Sequence, residues 1–155
     1  MIARFAAAAL LTLALPAAAQ APVGFAPSAE IREKVAAMAQ AMKPDQGFMA
    51  APVVSDGKTV AALEYWRKPG RPAVHPDEAE YAIVIEGAGT LIMGGTLVAP
   101  EVRRPGLTEG SRIEGGTTHK LVAGDVMLIP AGAPHWFGIE GTHLVLLGVK
   151  LPKAP

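Results

Sequence analysis

The chain has 155 residues, half of them apolar, with 14 basic against 14 acidic side chains and no cysteine. Balanced charge without a polybasic tract excludes the clustered cationic surface that nucleic-acid binding needs. The missing thiols exclude disulfides, thiolate catalysis and thiolate-held metal, so stability must come from one packed core, which a chain of this size can bury.

Residues 1 to 19 carry one basic residue (Arg4), an apolar run over residues 5 to 15, then Pro16 and Ala17-Ala18-Ala19. That is the layout of a secretory signal peptide cleaved after Ala19, and the run is short for a bilayer span. The protein is therefore expected to be periplasmic or secreted, with no membrane association after cleavage. Loss of Arg4 leaves 13 basic against 14 acidic residues, close to neutral.

Residues 20 to 47 read as an N-terminal segment with one helix over 28 to 43. Ser28 is placed to cap it, Glu30 and Glu33 favour its first turns, and Lys43-Pro44 ends it. Ile31, Val35, Met38 and Met42 recur at helical spacing as one apolar stripe, which reads as packing against the domain or a partner subunit.

From residue 48 to 155 the chain reads as one β domain of short strands punctuated by Gly and Pro. FMAAPVV and TVAALEYW flank SDGK, an Asp-Gly hairpin turn. EYAIVIEG, GTLIMGG and TLVA follow, then a Gly-rich connection over 100 to 116. RIEGGTTHKLVAG, DVMLIPAG, PHWFGIE and HLVLLGVKL complete the series. Such a succession without helices predicts an all-β sandwich or small barrel. Arg103, Arg104 and Arg112, interleaved with Glu101, Glu109 and Glu114, read as a solvated loop.

The strand over 80 to 86 sets Glu80, Ala82 and Val84 on one face and Tyr81, Ile83 and Ile85 on the other. Two largely apolar faces mean that the sheet is covered on its far side, by the helix or by a second copy, and a homodimer is expected. The carboxylate of Glu80 on a core-facing position calls for a partner or a cation.

GDVMLIPAGAPHWF, residues 124 to 137, closes a buried strand at Pro130 and Gly132 and starts the next at His135. Its spacing is G-x5-P-x-G-x2-H. Upstream, His75, Glu80 and Gly87 have the spacing H-x4-E-x6-G. These two patterns resemble the two sequence motifs of the cupin superfamily, over roughly residues 58 to 150. Ile139 replaces the usual Asn of the second motif, and Ala73 stands where the first motif has its earlier histidine.

The resemblance implies a double-stranded β-helix, or jelly roll, with a site in the barrel mouth. It implies three of four metal ligands: His75, Glu80 and His135. Two imidazoles and a carboxylate suit Fe(II), Mn(II), Ni(II) or Zn(II) and leave positions open for water or substrate. Ala73 would leave further room beside the ion, Ala82, Val84 and Phe137 would line the pocket, and Trp136 would face away. His119 shares a face with Leu121 and is a candidate inward group. His143 alternates with Val145, Leu147 and Val149 and is weaker; Asp77 and Glu78 read as solvated charges. Tyr65, Trp66, Arg67 and Arg71 could form a rim for an anionic or sugar ligand.

The residues favour an exported cupin holding a divalent metal beside a small-molecule substrate, with dioxygenase, isomerase, lyase or decarboxylase chemistry implied by the resemblance. A metal-free periplasmic binding protein is the competing reading. Nucleophilic-serine hydrolysis has no support, since Ser28, Ser55 and Ser111 lie outside any Gly-flanked elbow.

Overall fold

A computed structural model describes residues 24–153; the signal peptide read over residues 1 to 19 lies outside the described residues. In chain order the elements are α1 (Ser28–Ala41), β1 (Phe48–Asp56), β2 (Thr59–Trp66), β3 (Ala73–Val74), β4 (Glu78–Met93), β5 (Thr96–Val98), β6 (Glu101–Arg104), β7 (Leu107–Glu109), β8 (Arg112–Glu114), β9 (Thr117–Val122), β10 (Val126–Ile129) and β11 (His135–Pro152). Antiparallel pairing runs β1-β2-β11-β3-β7-β6, with β4 pairing β11, β9 and β10, and β5 with β8 forming a small second sheet. The architecture is an all-β jelly roll with one helix. Among the described residues no helix is long and apolar enough to cross a membrane.

The Asp-Gly hairpin forms as read, with Asp56 paired to Thr59 and Gly57 at φ +54°. Two boundaries differ from the sequence reading. EYAIVIEG and GTLIMGG are one bent strand, β4, and PHWFGIE and HLVLLGVKL are one strand, β11. Glycine lets each bend without losing its partner: Gly87 sits at φ +82° and Gly141 at φ +74°, beside a register shift between Glu140 and Leu144. The connection over 100 to 116 is also not a loop, because β6 and β7 pair there and β8 pairs back to β5.

Alternation builds two apolar layers from the same strands. Inside the barrel lie Ala82, Val84, Leu91, Leu121, Ile129, Phe137, Leu144 and Leu146. Outside, Leu63, Tyr65 and Val145 meet Val35 and Met38 of α1 and Met42 just past its end. Each buried side chain of this size contributes roughly 1.5–3 kcal/mol, so the stripe read from the sequence fastens the helix.

The helix ends depart from expectation. Pro27 occupies the cap position with no side-chain cap, and Ser28 is already helical. At the other end Arg67 donates to the carbonyls of Ala39 (2.6 Å), Met42 and Lys43 (both 3.4 Å). A cation on the last carbonyls complements the helix dipole.

Helix α1 covers only part of the far face. Ile85 and Leu147 pack under it, while Tyr81, Val126 and Leu128 remain exposed. Leu128 stands opposite Tyr81 in the β10–β4 register, so these exposed apolar residues are contiguous.

Candidate metal centre

Three elements converge on one end of the barrel. Strand β3 delivers His75 just past Val74, β4 carries Glu80 near its start, and β11 opens with His135. The Pro130-to-Pro134 turn fixes the approach: Gly132, at φ +81°, donates its N–H to the His75 carbonyl at 2.8 Å, and Ala133 donates to Pro130 at 3.0 Å. Ala73 lies directly opposite His135 in register. A histidine there would have pointed at the same centre.

His75, Glu80 and His135 each offer a ligand atom, and these atoms lie within 4.8 Å of one another. Glu80 and His135 are buried, and His135 Nε2 is 3.6 Å from Glu80 Oε2. The imidazole rings of His75 and His135 stack at 5.4 Å. Each Nδ1 faces a backbone carbonyl at 3.1 Å, that of Gly106 for His75 and of Ala133 for His135. A carbonyl only accepts, so the proton sits on Nδ1 and the Nε2 lone pair is free. That arrangement orients a metal-binding imidazole. Burial, reinforced by the Lys150 ammonium, holds His75 below the usual imidazole range. Burial does the same for His135 against the opposing pull of Glu80. The donor set fits a divalent metal: two neutral imidazoles and one carboxylate, with positions left open.

The cavity above this cluster has a volume of about 360 Å³. Phe137 and Trp66 form its wall, Ala73 borders it, and Arg71 and Arg104 stand on its lining. The expectations for Ala82 and Val84 need correction: both are fully buried in the barrel core and lie outside the cavity lining. Trp136 does not turn away from the site. It borders the cavity, its Nε1 donating to the Gly70 carbonyl at 2.9 Å. Of the proposed rim, Trp66 and Arg71 are in place, whereas Tyr65 is under the helix side of the sheet and Arg67 caps α1.

His119 does not point into the barrel. It stands opposite Leu91 in register, but β9 is an edge strand and the ring is exposed, bordering a separate depression with Met93 and Met127. It does not join the ligand cluster. His143 pairs instead with Glu86 at 2.9 Å and stacks on Tyr65.

Two charged residues of the site escaped the sequence reading. Lys150, opposite Glu80 in the β11–β4 register, forms an ion pair with Glu80 Oε2, the oxygen that also faces His135. Glu64 borders the same cavity, its Oε2 accepting from Trp66 Nε1 at 3.3 Å. Burial pushes the Glu64 carboxyl up to about 7, the Glu80 charge adds to this, and Lys150 and the Trp66 hydrogen bond oppose it. Both residues were legible in principle. Glu64 alternates with Ala62 and Trp66, and Lys150 with Leu146 and Gly148, so each charge sits on a strand's inner face.

No protein-family model and no curated protein sequence matches this chain. Solved structures do match it. A cupin superfamily protein of Desulfitobacterium hafniense aligns with TM-score 0.50 and 12% identity over 72% of this chain and 83% of its own. The Cnp3 cupin domain of Schizosaccharomyces pombe aligns with TM-score 0.51 and 10% identity over 74% and 72%. The chain has the cupin fold. A recombinant oxalate oxidase in complex with glycolate shares this fold, with TM-score 0.50 and 16% identity over 73% of this chain and 54% of the oxidase. Within the cupin barrel described here, the histidine–carboxylate cluster sits at the barrel mouth and the apolar core fills the space below.

Proposed function

We propose that this cupin barrel holds one divalent metal ion, Fe, Mn, Ni or Zn, through His75, Glu80 and His135, and brings a small oxygen-rich anion beside it. One observation carries the reading: both histidines commit Nδ1–H to backbone carbonyls, leaving two neutral imidazoles beside a buried carboxylate within 4.8 Å. When bound, such an ion supplies Lewis-acid chemistry and an open position for a substrate oxygen. The chain's own residues do the rest. Gly106 and Ala133 fix the imidazole tautomers, Phe137 and Trp66 limit water, and Arg104, with Arg71 held at 3.6 Å from Glu109, offers an anion a cationic group at the mouth. A cavity of about 360 Å³ lies at the small end of the range for small-molecule sites. The oxalate oxidase shows that this fold can serve small carboxylates, although fold does not select a reaction.

The ion pair of Lys150 with Glu80 favours a second reading, a metal-free ligand-binding barrel in which the ammonium is the only cation that Glu80 needs. We further propose export, supported by the layout of residues 1 to 19, and a homodimer, supported by the contiguous exposed Tyr81, Val126 and Leu128. The deciding experiment is anomalous diffraction from crystals soaked in Mn(II) or Zn(II). The metal reading requires a peak about 2.0–2.2 Å from the two Nε2 atoms and a Glu80 oxygen. A saturating soak with no peak there would leave the metal-free barrel.

A further inference from the structure

The cluster contains a cation of its own, and its position matters. Lys150 projects from β11 directly opposite Glu80, and its ammonium engages the Glu80 oxygen that lies 3.6 Å from His135 Nε2. An ammonium has three donors and no lone pair, so it cannot itself be a ligand. It also repels a divalent ion drawn to the same oxygen. Beside it stands a second carboxylate that the metal reading does not use. Glu64 faces the interior from β2, opposite Leu146 in register.

Glycine also borders these residues. Gly148, two residues before Lys150 on the same strand face, lies against Glu64: a Cβ there would make ordinary van der Waals contact with Glu64 Oε1 at 3.5 Å. Glu64, Glu80 and Lys150 all border both cavities that meet at this point. The Lys150 side chain is one-third exposed, against 4% for Glu80, so the lysine is the partner with room to move.

We infer that Lys150 is a resident counter-cation that competes with the metal for Glu80 and transfers to Glu64 when the metal binds. This inference rests on the metal reading above. In the metal-free protein the ammonium neutralises a carboxylate that would otherwise be buried without a partner, a costly state. On metal binding, Glu80 turns from ion-pair partner to ligand, and Glu64 receives the displaced ammonium. Lys150 and Glu64 are thus positioning residues that set metal affinity from outside the ligand set.

The test is a zinc titration against a chromophoric chelator at one fixed pH, with far-UV circular dichroism to verify folding. The proteins are the wild type, Lys150→Met, Lys150→Gln, Glu64→Gln, Lys150→Met/Glu64→Gln and His135→Ala. Removing a charge-assisted competitor should tighten zinc binding by about tenfold, and Lys150→Gln, which still donates a hydrogen bond to Glu80, provides the result should Lys150→Met fail to fold. Glu64→Gln should weaken binding severalfold in the wild-type background and have little effect in the Lys150→Met background, the coupling that a transfer requires. Lysine variants that bind zinc no more tightly than wild type overturn the inference while leaving the metal site standing. If no protein with all three ligands binds zinc better than His135→Ala, the metal reading and the inference fall together.

Discussion

Glu64→Gln should change the shape of the stability–pH curve. The folded-state pKa of Glu64 is raised from 4.5 to about 7, first by burial and then by the Glu80 charge. A carboxyl with a raised folded-state pKa binds its proton more tightly in the folded chain than in the unfolded one. Its contribution is therefore fully present below pH 4.5 and lost as pH rises towards about 7. Between about pH 5 and pH 8 the wild type should lose roughly 2.5 kcal/mol through this one group. Glutamine fills nearly the same space and does not titrate. The neutral histidines are common to both proteins, so their effects cancel in the difference. Urea unfolding of chelator-treated samples at the two pH values measures it. The stability of Glu64→Gln relative to wild type should rise by about 2 to 2.5 kcal/mol between them. A difference constant within about 0.5 kcal/mol would refute the reasoning, since Glu64 would then titrate alike in both states.

Glu80→Gln should abolish the thermal stabilisation that added Mn(II) or Zn(II) gives the wild type, with the circular dichroism spectrum retained. His119→Ala should leave metal content and metal-induced stabilisation unchanged, because the ring is exposed and outside the ligand cluster. Gly87→Ala should cost about 2 kcal/mol or more in urea unfolding, because φ is +82° and the new Cβ would lie 2.2 Å from the His143 carbonyl oxygen. Leu128→Asp places a charge on the exposed strip opposite Tyr81 and should convert a dimer to a monomer in analytical ultracentrifugation; an unchanged sedimentation coefficient would remove that face from the account.

Much of the fold was legible because its signals are local. Gly124, Pro130 and Gly132 punctuate the chain where β10 begins and ends, and the Val35–Met38–Met42 stripe marks the helix face that becomes buried. The clustering of His75, Glu80 and His135 was legible through motif spacing, since the three lie at fixed distances from glycines and prolines. What escaped depended on pairing between distant strands. Lys150 meets Glu80 only because β11 pairs with β4 across 70 positions of sequence. Glu64 faces the cavity from a strand whose opposite face packs under the helix, and which face is which depends on partners distant in sequence. The same limit produced the errors at His119 and Trp136: alternation tells which side a residue faces, but only the sheet's edges and turns decide what lies there.

The His75–Glu80–His135 cluster is proposed to hold a metal. Elemental analysis of protein exported into a periplasm and purified without chelator tests it most directly, with His135→Ala prepared alongside. The wild type should carry close to one equivalent of a divalent transition metal, and the variant should lose it. Trace metal at equal levels in both would contradict it.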